Sequence, residues 1–288
     1  MRGVLRRPAC LILLAGLLGS PQILSAQCSD AGVCSVGHRS PEHQGAFSVE
    51  YLFGRTSKAD DITIHTLRLN ALLPLFSQST LMMSIPYSGQ SGPLGSVSGI
   101  GDLTVVWMQE LWSADGFRWS ANLGGKIALA DVNAGHLPQA YQSGLGTNDL
   151  LAGFACQNEK WNIALGYQLS RGRSANIPTR LRRGDDIFFS LGYSESFGVL
   201  RAAGEILAIK RLSNSSVVNM LSASPLPSYQ DVPNSAQGQI NLVARADYPL
   251  SQVVAARVAV AVPLLKREVN VDGLTRSLTL TAGLACSF

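Results

Sequence analysis

Apolar and polar residues alternate with a period of two along most of this chain. The stretch 116–130 shows it clearly: Phe117, Trp119, Ala121, Leu123, Ile127 and Leu129 alternate with Arg118, Ser120, Asn122, Gly124, Lys126 and Ala128. That period puts the two sets on opposite faces of a β-strand. Applied throughout, it predicts about twelve strands, near 45–53, 62–75, 79–87, 101–112, 116–130, 147–156, 160–170, 185–194, 198–210, 236–249, 252–263 and 278–288.

The predicted connections alternate between short and long. Short ones fall at 77–79, 113–116, 157–160, 194–198 and 250–252, and long ones near 54–61, 88–100, 131–146, 171–184, 211–235 and 264–273. Short periplasmic turns and long external loops are the mark of an outer-membrane barrel, and an even strand number returns both chain ends to the periplasm. The expected fold is an all-β, antiparallel up-and-down transmembrane β-barrel spanning 45–288.

One face of these strands is too charged for a dry core. It gathers Glu50, Arg68, Asp102, Glu110, Arg118, Lys126, Asp149, Asp186, Arg201, Glu205, Arg245, Asp247 and Arg257. Buried charges cost several kcal/mol each unless paired, whereas a wet lumen tolerates them. Arg68, Asp102, Arg118, Lys126, Asp149, Arg201, Glu205, Arg245, Asp247 and Arg257 are therefore the candidate pore-lining residues. Cations facing acids across the lumen would set a transverse field and an ion preference. Cations paired with acids would instead brace a narrow barrel.

Composition agrees with a membrane protein. Only 15% of residues are charged and 46% are hydrophobic, against about 25% charged in soluble domains. Residues 1–26 read as a secretory signal peptide: a basic MRGVLRR, the apolar ACLILLAGLLG, and a small residue, Ala26, at the expected cleavage point. Removing Arg2, Arg6 and Arg7 leaves the mature chain near neutral, which is no footprint for nucleic acid. Residues 27–44 are expected to form a periplasmic segment. There Cys28 and Cys34 are candidates for a disulfide in an oxidising compartment, while His38 and His43 lack metal-ligand spacing.

Two short motifs repeat. SGIGDL (98–103) and SGLGTNDL (143–150) each place Gly-x-Gly before an Asp-Leu strand start. Gly99, Gly101, Gly144 and Gly146 suit loop closure; the alternative reading makes Asp102 and Asp149 an acidic filter at the outer mouth. With the signal peptide and strand count, these positions resemble the outer-membrane channels of the phenol meta-cleavage (MetA) pathway family. The resemblance implies passive passage of hydrophobic or aromatic compounds. Thr147-Asn148 departs from the first copy of the motif.

The chain ends on LTLTAGLACSF, a strict alternation closing at Phe288. Gly283 and Phe288 resemble the C-terminal assembly signal read by the barrel-assembly machinery, with Cys286 where an aromatic is usual. The expected partners are outer-membrane lipid, that machinery and a small solute. No cofactor and no metal are expected.

Catalysis has little support in the sequence. The His-x-Ser-Asn-Gly stretch of outer-membrane phospholipase is absent, and His65 and His136, the latter near Asp131, lack a matching partner set. The loop stretch MLSASPLPSYQDVP is a candidate plug for the mouth. The expected function is an outer-membrane channel, and the alternative is a non-conducting surface or structural barrel.

Overall fold

The computed structural model describes residues 45–76, 78–222 and 226–288. The signal peptide, the 27–44 segment and the Cys28–Cys34 pair lie outside them. The fifteen strands are β1 (Ala46–Arg55), β2 (Thr63–Phe76), β3 (Ser79–Gly92), β4 (Gly95–Ile100), β5 (Leu103–Ala114), β6 (Phe117–Ile127), β7 (Asn148–Gln157), β8 (Trp161–Arg171), β9 (Asp186–Phe197), β10 (Leu200–Arg211), β11 (Ser216–Val218), β12 (Tyr229–Asp231), β13 (Gly238–Pro249), β14 (Val254–Leu265) and β15 (Leu278–Ser287). Every pairing is antiparallel. The sheet closes because β1 pairs with β15 on one side and β2 on the other, and β2 pairs with β3.

β4 and β5 pair in succession along β3, so they form one stave, and the closed barrel has twelve. The stretch 88–100 was expected to be loop. Instead β3 runs on to Gly92 and returns as β4. This Ser- and Gly-rich hairpin has no continuous apolar face, so the alternation that marks the other strands is missing from its sequence.

The outward face is apolar. Val49, Leu67, Leu69, Leu123, Leu165, Val258 and Leu284 are all exposed, on strands all around the barrel. A soluble monomer rarely exposes contiguous apolar surface beyond a few hundred Å², so this band is built to meet lipid. Near the short-turn end, aromatic rings pack along it. Trp112 stacks on Trp119 at 5.7 Å, Trp161 meets Tyr193 at 4.9 Å, and Phe47 stacks on Phe288 at 5.2 Å. Such girdles mark a membrane–water interface.

The closing strand is anchored at its tip. The Phe288 amide donates to the Gly45 carbonyl at 2.9 Å, and its ring fills the space above Gly45.

Candidate lumen and mouth

Strand tilt makes each cross-strand row of inward residues climb around the wall, and three rows define the interior. The first is apolar. Ala46, Leu72, Met82, Val106, Gly124 and Leu151 lie opposite one another in sequence across β1, β2, β3, β5, β6 and β7. Phe188, Leu207 and Ile209 extend the same buried cluster on β9 and β10. Gly166 makes room for it, since the Phe188 ring occupies the place where a Cβ would stand.

The second row is polar: Ser48, Asn70, Ser84, Thr104, Lys126, Asp149 and Ser170. Ser84 donates to the Asn70 carbonyl oxygen at 2.7 Å, and the Asn70 amide donates to Ser48 at 3.1 Å.

The third row is a charge ladder. Arg201, Asp247, Arg257, Gly283, Glu50 and Arg68 face one another in turn across β10, β13, β14, β15, β1 and β2. Arg257 lies 3.0 Å from Asp247 and Arg68 lies 3.9 Å from Glu50. Arg245 pairs with Glu205 beside this row. Arg201 donates to the Glu159 carbonyl at 2.8 Å and to Ser194 at 2.6 Å. Cations and acids thus alternate along the wall instead of facing each other across the lumen. Direct cross-strand neighbours sit only about 5 Å apart, so adjacent pairing is the closer compensation. Arg118 faces inward at the short-turn end of β6.

The external mouth is narrowed by two inward-folded loops, 128–147 and 266–277. Together with the wall they enclose a cavity of ≈ 90 Å³ lined by Arg68, Gln90, Lys126, Gln142, Asp272 and Arg276, among others. The two Gly-x-Gly motifs clasp each other here. Asp102 accepts from the amides of Leu145 at 2.7 Å and Gly146 at 3.1 Å, and from Ala130 at 3.3 Å. Ser143 donates back to the Ile100 carbonyl at 2.9 Å. A Cβ on Gly144 would stand 2.9 Å from the Asp102 carboxyl carbon, and Gly146 has φ +62°. Lys126 reaches Asp102 only at 4.0 Å. Gly101 approaches the Ser143 carbonyl, and Gly99 faces the Ser143 hydroxyl.

Asp149 is also committed. It accepts from Gln168, from Thr147 at 3.2 Å and from the Arg171 amide at 3.3 Å, and it lies 3.7 Å from Arg183. Both aspartates are therefore buried struts of the loops, which corrects the reading of a bare acidic filter. Each carboxylate is held by backbone or side-chain donors, and Asp102 also lines the cavity.

A second cluster braces the mouth. Arg211 contacts Asp186 at 3.2 Å and Asp272 at 2.7 Å, while Arg183 and Arg267 reach Asp186 at 3.6 and 3.5 Å. Burial of Asp272 opposes its ionisation, but Arg211, Arg183 and Arg267 together hold its carboxyl well below the usual range. The sequence reading named Asp186 but missed Arg183, Arg211, Arg267 and Asp272, which lie in or beside loops where no periodicity marks a facing direction. The described residues of the 211–235 loop do not plug the mouth: Met220, Leu221 and Leu226 are 73%, 95% and 74% exposed. The loops that do fold inward carry the polar Gln139 and Gln142 and the Tyr141 ring, which packs on Ile62 and Ile64.

His65 lies on the outward face, hydrogen-bonded to the Tyr51 hydroxyl at 2.6 Å. His136 sits in the 128–147 loop with φ +55°.

No protein-family model matches the chain, and no curated protein matches it. Solved structures do match. An outer-membrane channel from Pseudomonas putida F1 superposes with a TM-score of 0.63 at 16% identity, covering 86% of this chain and 96% of that one. The NanC porin superposes with a TM-score of 0.51 at 8% identity, covering 83% of this chain and 100% of that one. The fold is that of outer-membrane barrels. The apolar outer band and the aromatic girdle fit a barrel that spans a lipid bilayer.

Proposed function

We propose that this barrel is a passive outer-membrane channel for small molecules, selective for solutes with an apolar or aromatic part. The observation that carries this reading is the two-faced inner wall. A charged ladder on β10, β13, β14, β15, β1 and β2 shares the barrel interior with a buried apolar belt of Leu72, Met82, Val106, Leu151 and Phe188. A solute with one charged and one apolar end would have a partner for each once the packed belt side chains part to admit it. The channel fold and the resemblance to the MetA-pathway channels support the same reading.

Liposome swelling tests it. An aromatic carboxylate should enter faster than an aliphatic carboxylate of equal charge and similar size, and Phe188→Ser should remove that preference. Equal rates for both solutes in the parental protein would overturn the aromatic preference. No swelling with either would overturn the channel. One observation favours the second reading, a non-conducting barrel: the mouth retains only a ≈ 90 Å³ cavity under the two inward loops.

A further inference from the structure

The long-loop rim above β8–β10 carries cations that neither the lumen nor the clasp uses. Arg171 ends β8 and Lys210 lies at the top of β10. Strand alternation puts both on the outward face, and Lys210 is the direct register partner of the outward Ile187 on β9. Arg180 and Arg182, in the 172–185 loop, are exposed. Arg173 ties them together: its guanidinium donates to the Arg180 carbonyl at 2.6 Å and lies 3.7 Å over the Tyr229 ring. Arg182 is fixed by a bridge to Ser216.

These cations lack the acids that neutralise the other clusters. Among the described residues no carboxylate stands at ion-pair distance from Arg171, Arg180 or Arg182. Asp231, exposed on β12 opposite Ser216, makes no ion pair with Arg182, and Asp185, between β8 and β10 on this rim, is already taken. It accepts from the Tyr167 hydroxyl at 2.7 Å and from the Ser170 amide at 2.8 Å. Elsewhere on the long-loop end, Arg55 is paired with Asp61 at 2.9 Å. Directly below the β8–β10 cations lies the lipid-facing surface of Leu165, Phe189 and Ile206.

We propose that this rim docks the phosphates of a glycolipid headgroup in the outer leaflet, with the lipid's acyl chains lying on the apolar face beneath. Guanidinium groups suit phosphate because their planar forks match its oxygens two at a time. The height of the patch fits too: it begins where the apolar band ends, at headgroup level. The site depends on the barrel lying in the outer membrane with its long loops outward, and not on the lumen being open.

The test is titration of the detergent-purified full chain with three lipids: a bis-phosphorylated lipid A, the same lipid with its phosphates removed, and phosphatidylglycerol. The parental protein should bind the intact lipid A most tightly, and added salt should weaken it. The triple variant Arg171→Ser, Arg180→Ser, Arg182→Ser should lose roughly a hundredfold in affinity, at about fivefold per basic residue. Lys58→Ser, on the β1–β2 loop, should change nothing. The bilayer conductance of the triple variant should equal the parental value, so the docking site and the channel reading can fail separately. Equal binding of the phosphate-free lipid or of phosphatidylglycerol would overturn the proposal without any variant. So would a folded triple variant that binds as the parental protein does.

Discussion

Gly283 stands directly across from Glu50, and a Cβ placed on it would lie 2.8 Å from the Glu50 Cγ and 2.7 Å from the Val49 carbonyl oxygen. The glycine is the gap in the charge ladder, between Arg257 on β14 and Glu50 on β1. Its absent side chain leaves Glu50 free to lie along the wall toward Arg68. Gly283→Ala should displace Glu50 and strain the β1–β15 seam, at a cost of about 1–3 kcal/mol as in other overpacked sites. A lower unfolding temperature on heated electrophoresis checks it. An unchanged midpoint would show that the seam has slack.

Asp102 joins two motifs more than forty positions apart by accepting the amides of Leu145 and Gly146, and it accepts a third from Ala130. Hydrogen bonds to a charged acceptor contribute about 1.5–3 kcal/mol each. Asp102→Ala should therefore release the 128–147 loop, leave Lys126 to its cross-strand neighbour Asp149, and raise conductance as the mouth widens. Proteolysis within 128–147, in folded protein, should rise in parallel. A variant with parental conductance and the same resistance to cleavage would assign the narrowing to the 266–277 loop.

The Asp272 carboxyl gives the mouth a pH dependence of known sign. Its folded pKa is depressed below the ordinary 3.8 by the three arginines around it. A depressed carboxylate contributes stability that is fully present above its unfolded pKa and lost as pH falls through the folded one. The loop should stay pinned from pH 7 down to pH 5, with any acid release only below the unfolded value. Asp272→Asn should loosen the 266–277 loop equally at pH 7 and pH 5. Hydrogen exchange of the loop amides reads this directly. A release of the parental loop already between pH 7 and pH 5 would contradict it.

The Arg245–Glu205 pair tests whether the lumen is wet. In a dry interior, removing one partner of such a pair costs about 3–5 kcal/mol. With water in the lumen, Arg245→Ala should cost clearly less and shift ion preference toward cations, because Glu205 is left uncompensated. The exchange Arg245→Glu with Glu205→Arg should restore the parental midpoint. Reversal potential and unfolding midpoint, measured together, decide it.

The barrel was legible in the sequence because lipid outside and polar groups inside impose opposite demands on successive residues. Each of the twelve long staves was expected within a few residues, from Phe47, Val49 and Tyr51 on β1 to Leu280 and Leu284 on β15. Alternation also placed Glu50, Arg68, Arg245 and Arg257 on the inner face. It could not reveal that Arg257, Gly283 and Glu50 share one row, because register is a relation between strands. The apolar belt was hidden for the same reason. Met82, Leu151 and Phe188 sit among outward apolar neighbours in sequence, and only the pairing across β3 to β9 joins them. The β3–β4 hairpin has no lipid face, and the clamp of Arg183, Arg211, Arg267 and Asp272 lies in loops or at a strand end, so no periodic signal marked them.

Single-channel recording in a planar bilayer, with folded protein and a salt gradient, tests the central claim most directly. The expected result is small, discrete openings whose ion selectivity shifts toward cations on Arg257→Ala, with larger openings on Asp102→Ala. A silent bilayer for both the parental protein and Asp102→Ala, with insertion shown by heat-modifiable migration, would contradict the channel and leave a braced, closed barrel.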